Sequence, residues 1–202
     1  MKKQSQAART STRKSQIIQE AMRLFAQHGY RGTTIATVAD AVGLTEPGLL
    51  HHFPSKEHLL IGVLEERDKI DRERFGGALR QQDTRILESL KMLVSHYENT
   101  PGLAQLFTVL VAESIDSEHP GNTYFVQRYR DFRLKLSEAF EDAQRNGEIR
   151  RDVETDLLAS LTLAVMDGLQ VQWLLEAEGL SMSKVINQFV HLLTDGHRRN
   201  EP

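Results

Sequence analysis

Between Thr33 and Leu60 the chain reads TTIATVADAVGLTEPGLLHHFPSKEHLL, a stretch rich in side chains of the kinds that meet phosphates and base edges. The hydroxyls of Thr33, Thr34 and Thr45, the imidazoles of His51 and His52 and the ammonium of Lys56 are hydrogen-bonding groups. The Glu46 carboxylate can accept from a cytosine amino group, although phosphates nearby would repel it. Other chemistries lack their residues. The histidines, at positions 28, 51, 52, 58, 96, 119, 191 and 197, form no H-x-x-x-H or H-E-x-x-H pair, and the chain has no cysteine. The spacing of a zinc site is therefore missing, and thiol catalysis is excluded. With neither a nucleophile elbow nor a glycine-rich phosphate loop, the residues give no support to an enzyme, and no cofactor or metal is expected.

The formal charge of −3 hides an asymmetry. Residues 1–60 carry a balance of +4, and residues 61–202 a balance of −7. A basic head on an acidic body suits a protein of which one end meets phosphates and the rest does not. The basic start is read as a mobile arm over residues 1–14, with Arg9, Arg13 and Lys14 offered to the backbone or minor groove. No apolar run in the sequence approaches a bilayer span and no apolar segment follows the basic start, so a cytoplasmic protein with no membrane partner is expected.

The elements that must carry these side chains are short helices. Ile17, Ile18, Ala21, Leu24 and Phe25 mark one face of a helix over residues 12–28, and Gly29 ends it. Thr33 or Thr34 caps a second, on which Ile35, Val38, Ala39 and Val42 recur at helical spacing until Gly43. Gly43 permits the left-handed geometry of a sharp turn. Thr45 then caps a third helix to about His52: Glu46 suits its positive end, and Pro47 is tolerated in the first turn. Leu49 and Phe53, four apart, anchor one side and leave Glu46, Pro47, Gly48, Leu50, His51 and His52 for the others. Two helices about a tight turn form a helix-turn-helix, which sets the second of them into the major groove.

This segment resembles the TetR family of transcriptional regulators, whose amino-terminal module carries T-T-h-x-x-h-A-x-x-x-G-h, a short helix ending in aromatic and His residues, and F-x-S/N-K-x-x-L-L. Those places hold Thr33, Thr34, Ile35, Val38, Ala39, Gly43, Leu44, His52, Phe53, Ser55, Lys56, Leu59 and Leu60. The resemblance is specific over Ile17 to Leu64 and architectural beyond. It implies that Glu46, Pro47, Gly48, Leu50 and His51 face the groove, that Thr33, Thr34, His52 and Lys56 face phosphates, and that Lys14, Ile35 and Thr45 belong to the same contact surface. Leu50 departs from the family, many of whose members have a DNA-contacting Tyr there; leucine cannot donate to a phosphate but can pack on a thymine methyl.

An all-α protein of about nine helices is expected: a DNA-binding domain over residues 1–54 and a helical effector-binding and dimerisation domain over 55–202, linked by a helix over 55–76. Breakers at Asn99-Thr100-Pro101, His119-Pro120-Gly121, Asn146-Gly147 and Gly179 divide the rest into helices over residues 84–99, 101–117, 122–146, 155–178 and 181–198. The helix from Thr155 is apolar almost all round and must be buried on more than one side. The resemblance implies that it and the last helix form a four-helix bundle with a second subunit; Leu161, Val165, Leu169, Trp173, Val185, Phe189 and Leu193 are the expected interface. It also implies a small-molecule pocket, for which Met92, His96, Tyr97, Leu103, Phe107, Val111, Tyr129, Phe132, Met166 and Trp173 are the candidates. The function expected is a repressor that binds a palindromic operator as a homodimer and is released by an effector; the alternatives are a helical protein-interaction module and a constitutive regulator.

Overall fold

The computed structural model describes the backbone of residues 2–75 and 86–198, with side chains over 12–73 and 86–194. Among the described residues there are nine helices and no strand: α1 Lys2–Gly32, α2 Ile35–Ala41, α3 Glu46–His52, α4 Lys56–Phe75, α5 Ile86–Asn99, α6 Pro101–Glu113, α7 Asn122–Arg145, α8 Thr155–Leu175 and α9 Met182–Arg198. They form two compact units. The first joins residues 1–70 to 105–123; the second joins 71–104 to 124–202. The first thus takes in more than residues 1–54, adding much of α4 and most of α6.

In the first unit Ile17, Ala21, Leu24 and Phe25 of α1, Val38 and Ala39 of α2, Leu49 of α3 and Leu59, Leu60, Val63 and Leu64 of α4 are buried, as their spacing required. The chain turns sharply at Gly29 (φ 72, ψ 174), and one further turn leads into Thr33. The start of the chain is helical: α1 begins at Lys2, and QSQAARTSTRKSQ contains no proline or glycine to stop a helix growing back from residue 12. The side chain of Arg9 lies outside the described residues.

In the second unit one apolar core joins Leu87, Leu90, Val94 and Tyr97 of α5, Leu136 and Phe140 of α7, Leu158, Leu163, Met166, Leu169 and Trp173 of α8, and Ile186, Val190 and Leu193 of α9. Glu98 secures the start of α9, accepting from the Ser183 N–H at 3.2 Å and from the hydroxyls of Ser181 and Ser183. One helix, α8, is long and apolar enough to cross a membrane, contrary to the expectation from the sequence, but 44 % of its apolar stretch is buried inside the protein.

Candidate nucleic-acid interface

The helix-turn-helix is built by two threonine caps and a glycine. Thr34, extended at φ −109, accepts the Thr37 N–H at 3.0 Å and shares a 2.8 Å bond with the Thr37 hydroxyl. Gly43 lies at φ 66, where the Leu44 N–H returns to the Ala39 carbonyl at 2.9 Å and closes the turn. Thr45 accepts the Gly48 N–H at 3.2 Å and starts α3, with Pro47 in its first turn. Leu49 is fully buried and Phe53 nearly so, which fixes the rotation of α3. Glu46, Pro47, Leu50 and His51 stand exposed, while Gly48 and His52 are half-buried. A helix anchored by one leucine and otherwise presenting a carboxylate, a proline, an isobutyl group and imidazoles is shaped to meet something outside the chain.

Not all of the expected contact residues stand free in solvent. Thr33 is buried: its hydroxyl donates to the Gly29 carbonyl at 2.8 Å, and so it braces the end of α1 and is not turned toward solvent. Lys56 is half-buried with its ammonium 4.3 Å from the centroid of the Tyr30 ring, and burial holds its pKa below the ordinary lysine value. Lys14 is exposed, with its ammonium 5.7 Å from the Phe53 ring, and Ile35 is half-buried. The rings of His51 and His52 meet edge to face at 5.7 Å. Burial, then the neighbouring His51, Lys14 and Arg13, lowers the His52 pKa; the group is thereby disposed to stay neutral until a phosphate approaches.

Residues far along the chain support this head in a way no local pattern announces. Glu113 at the end of α6 accepts the Tyr30 N–H at 2.6 Å and the Arg31 N–H at 3.2 Å, satisfying donors freed by the break at Gly29. Arg31 is ion-paired with Asp116, and the rings of Tyr30 and His119 meet edge to face at 4.9 Å.

The expected pocket residues do not form one set. Phe107 and Val111 belong to the first unit, where the Phe107 ring receives the Arg67 guanidinium at 4.1 Å; the other eight belong to the second. Met92 is 52 % exposed, facing solvent and not a cavity. Of those in the second unit, Tyr97, Met166 and Trp173 are buried, and His96, Leu103, Tyr129 and Phe132 half-buried. Two carboxylates meet this group: Asp71 accepts from Tyr97 Oη at 3.1 Å and from Arg128 at 3.1 Å, and Asp167 accepts from Tyr129 Oη at 2.6 Å. A separate cleft of about 470 Å³ runs past Lys91, Glu148, Asn187 and His191 and includes none of the expected residues.

The expected dimer residues also divide. Leu161 and Val185 are exposed and Val165 and Phe189 half-buried, but Leu169, Trp173 and Leu193 lie in the core of their own unit. The free face of α8 shares only Leu161 with the expected residues of that helix: it is Leu157, Leu161, Ala164, Gly168, Val171 and Leu175, at alternating steps of four and three; on α9 it is Val185, also expected, and Leu192. A Cβ added at Gly168 would meet nothing within 4 Å, so the stripe is flat and open there.

Residues 17–63 match the family model of the bacterial regulatory proteins of the tetR family, and residues 83–195 match that of the BetI-type transcriptional repressor C-terminal region. The chain belongs to the TetR family and is a DNA-binding transcriptional repressor. It is 28 % identical to the HTH-type transcriptional repressor AcnR of Corynebacterium diphtheriae over 162 residues, covering 78 % of this chain and 79 % of that one. It is 27 % identical to the HTH-type transcriptional repressor KstR2 of Rhodococcus jostii over 193 residues, covering 92 % of this chain and 91 % of that one. Among solved structures, a putative transcriptional regulator from Saccharomonospora viridis in complex with choline superposes with a TM-score of 0.75 at 25 % identity, covering 94 % of this chain and 97 % of the other. These curated relatives are repressors and not enzymes.

Proposed function

We propose that the protein binds a palindromic operator as a homodimer, reads base edges with Glu46, Pro47, Gly48, Leu50 and His51, and is released by a small molecule held in its second unit. The observation that carries this reading is α3 itself: Leu49 is buried and locks the helix, while Glu46, Pro47, Leu50 and His51 stand exposed. Thr34, Thr45, His52 and Lys14 supply donors to the flanking phosphates, and Ile35 an apolar shoulder beside them. Thr33 and Lys56 support from within, through their bonds to Gly29 and Tyr30. A two-fold dimer presents two such helices to successive major grooves, which favours inverted half-sites. The apolar stripe of α8 and the exposed Val185 and Leu192 of α9 supply the pairing face.

For the effector, the second unit offers tyrosines hydrogen-bonded to Asp71 and Asp167, with Trp173 and Phe132 in the same unit. Carboxylates and aromatic faces together suit a small organic cation, and the Saccharomonospora neighbour was solved with choline. An effector that favours the non-binding state by about 1–3 kcal/mol weakens operator affinity about 5- to 150-fold. The test is selection of genomic fragments by the purified protein, followed by anisotropy titrations of the selected duplex. Affinity that falls steeply with salt, drops on His51→Ala and weakens with added choline supports each part in turn. Binding that ignores both salt and His51→Ala would sink the operator reading.

A further inference from the structure

The turn after α6 holds a histidine that the contact surface on DNA does not use. His119 is 4 % exposed; its Nδ1 lies 2.8 Å from Ser114 Oγ and accepts the Gly121 N–H at 3.1 Å. A backbone N–H only donates, so Nδ1 carries no proton, the Ser114 hydroxyl donates to it as well, and the neutral ring keeps its proton on Nε2. Nε2 is itself buried with no hydrogen-bond partner, and the ring abuts Tyr30. The Asn122 side chain closes the same turn by donating to the Ser114 carbonyl at 2.9 Å.

Charged groups reach the ring from each packed element: Arg31 on α1, Lys56 on α4, Glu113 on α6 and Asp116 in the turn, while Glu57 acts on Tyr30. Both carboxylates nearest the ring are already engaged, Glu113 by the Tyr30 and Arg31 N–H groups and Asp116 by the Arg31 guanidinium.

We propose that His119 is a pH-sensitive latch: neutral, it holds the turn over residues 114–121 closed against Tyr30, and its protonation opens that turn and loosens the helix-turn-helix. A proton from solvent arriving at Nδ1 would set N–H against the Gly121 N–H, force the Ser114 hydroxyl to reverse, and bury a cation near Arg31 and Lys56. Tyr30 to Gly32 lead directly into Thr33 and Thr34, whose hydroxyls fix the end of α1 and the start of α2, so the disturbance has only a short path to the head. Burial already holds the His119 pKa below its ordinary value. The latch is therefore complete above about pH 6.5, the unfolded-state value, and is lost as the pH falls from there through the depressed native value.

The effect on DNA rests on the operator reading above, whereas the state of the ring does not. Long-range proton–nitrogen spectra of the full-length protein should show His119 as the Nε2–H tautomer near neutral pH, titrating below its ordinary value. An Nδ1–H tautomer, or an ordinary titration, overturns the proposal. The second readout is anisotropy on the selected duplex at constant ionic strength, comparing wild type with His119→Asn, which keeps an acceptor near Gly121 and takes up no proton. Every titratable group other than residue 119 is common to both proteins and cancels in the ratio. Between about pH 7.5 and 5.5 the wild type should lose about fivefold or more in affinity relative to the variant. Parallel pH profiles refute the latch. If neither protein binds DNA at any pH, the operator reading fails and the latch with it, while the ring spectrum still decides the tautomer.

Discussion

Replacing Leu161 by Ala separates the free face of α8 from its buried one. Leu161 is 57 % exposed in the single chain, whereas Leu169, two turns later, is 4 % exposed. Fully burying a leucine contributes about 1.5–3 kcal/mol, so a partner covering the exposed part of Leu161 supplies about 0.9–1.7 kcal/mol. In a two-fold dimer each substitution occurs twice, which raises the loss to about 1.7–3.4 kcal/mol, or about 20- to 300-fold in the dimer dissociation constant. Leu169→Ala instead opens a cavity within the chain's own core and should cost about 2–5 kcal/mol of folding stability. Sedimentation equilibrium across a wide concentration range, paired with thermal unfolding under conditions that keep each variant monomeric, distinguishes the two. Leu161→Ala should weaken association with little change in monomer melting, and Leu169→Ala should lower the melting temperature first. A dimer constant indifferent to Leu161→Ala, and to the same change at Leu157 and Leu175, would refute the assignment of this stripe to the interface.

Gly43→Ala should lower stability by about 1 kcal/mol through backbone conformation alone, because φ is 66 and an added Cβ would meet nothing within 4 Å; a loss several times larger in chemical denaturation would refute this account of the turn. Thr34→Ala removes the cap of α2 and should cost about 1 kcal/mol, whereas Thr34→Ser should restore most of it; equal melting temperatures for the two variants would exclude the cap. Burial would raise the Glu98 pKa, but hydrogen bonds from Ser183 and Ser181 outweigh it and hold the carboxyl below its ordinary value, so its stabilisation is present above the unfolded value and lost as the pH falls through the native one. Acid unfolding of Glu98→Gln should accordingly be less steep in pH than that of the wild type, and superimposable acid transitions would contradict it.

The parts of the fold legible in the sequence are those set by neighbours along the chain. Thr34, Gly43 and Thr45 each act on a backbone group within a few residues, and the observed helices α2 and α3 start and stop where those signals stand. The Leu49–Phe53 pair likewise fixed the rotation of α3 by helical spacing alone. A hydroxyl next to a cap looks the same in sequence whether it faces outward or, like that of Thr33, bonds back to Gly29. The Glu113 cap of the Tyr30 turn was invisible because its partner is 83 residues away. In sequence His119 belongs to a helix breaker, and nothing in His119-Pro120-Gly121 says that its ring is buried against Tyr30.

Helix α8 shows why periodicity stops short of choosing a partner. Its sequence is apolar almost all round, and the helix carries two apolar stripes. One, through Leu158, Leu163, Met166, Leu169 and Trp173, enters the core of its own unit; the other, through Leu157, Leu161, Val171 and Leu175, remains uncovered. Both stripes follow helical spacing and both are built from the same residue types, so pattern alone cannot assign one to the chain and the other to a partner. The assignment comes from what α5, α7 and α9 already cover. The same packing explains a helix that satisfies the length and apolarity of a membrane span: folding hides one of its faces, and pairing with a second copy would hide the other.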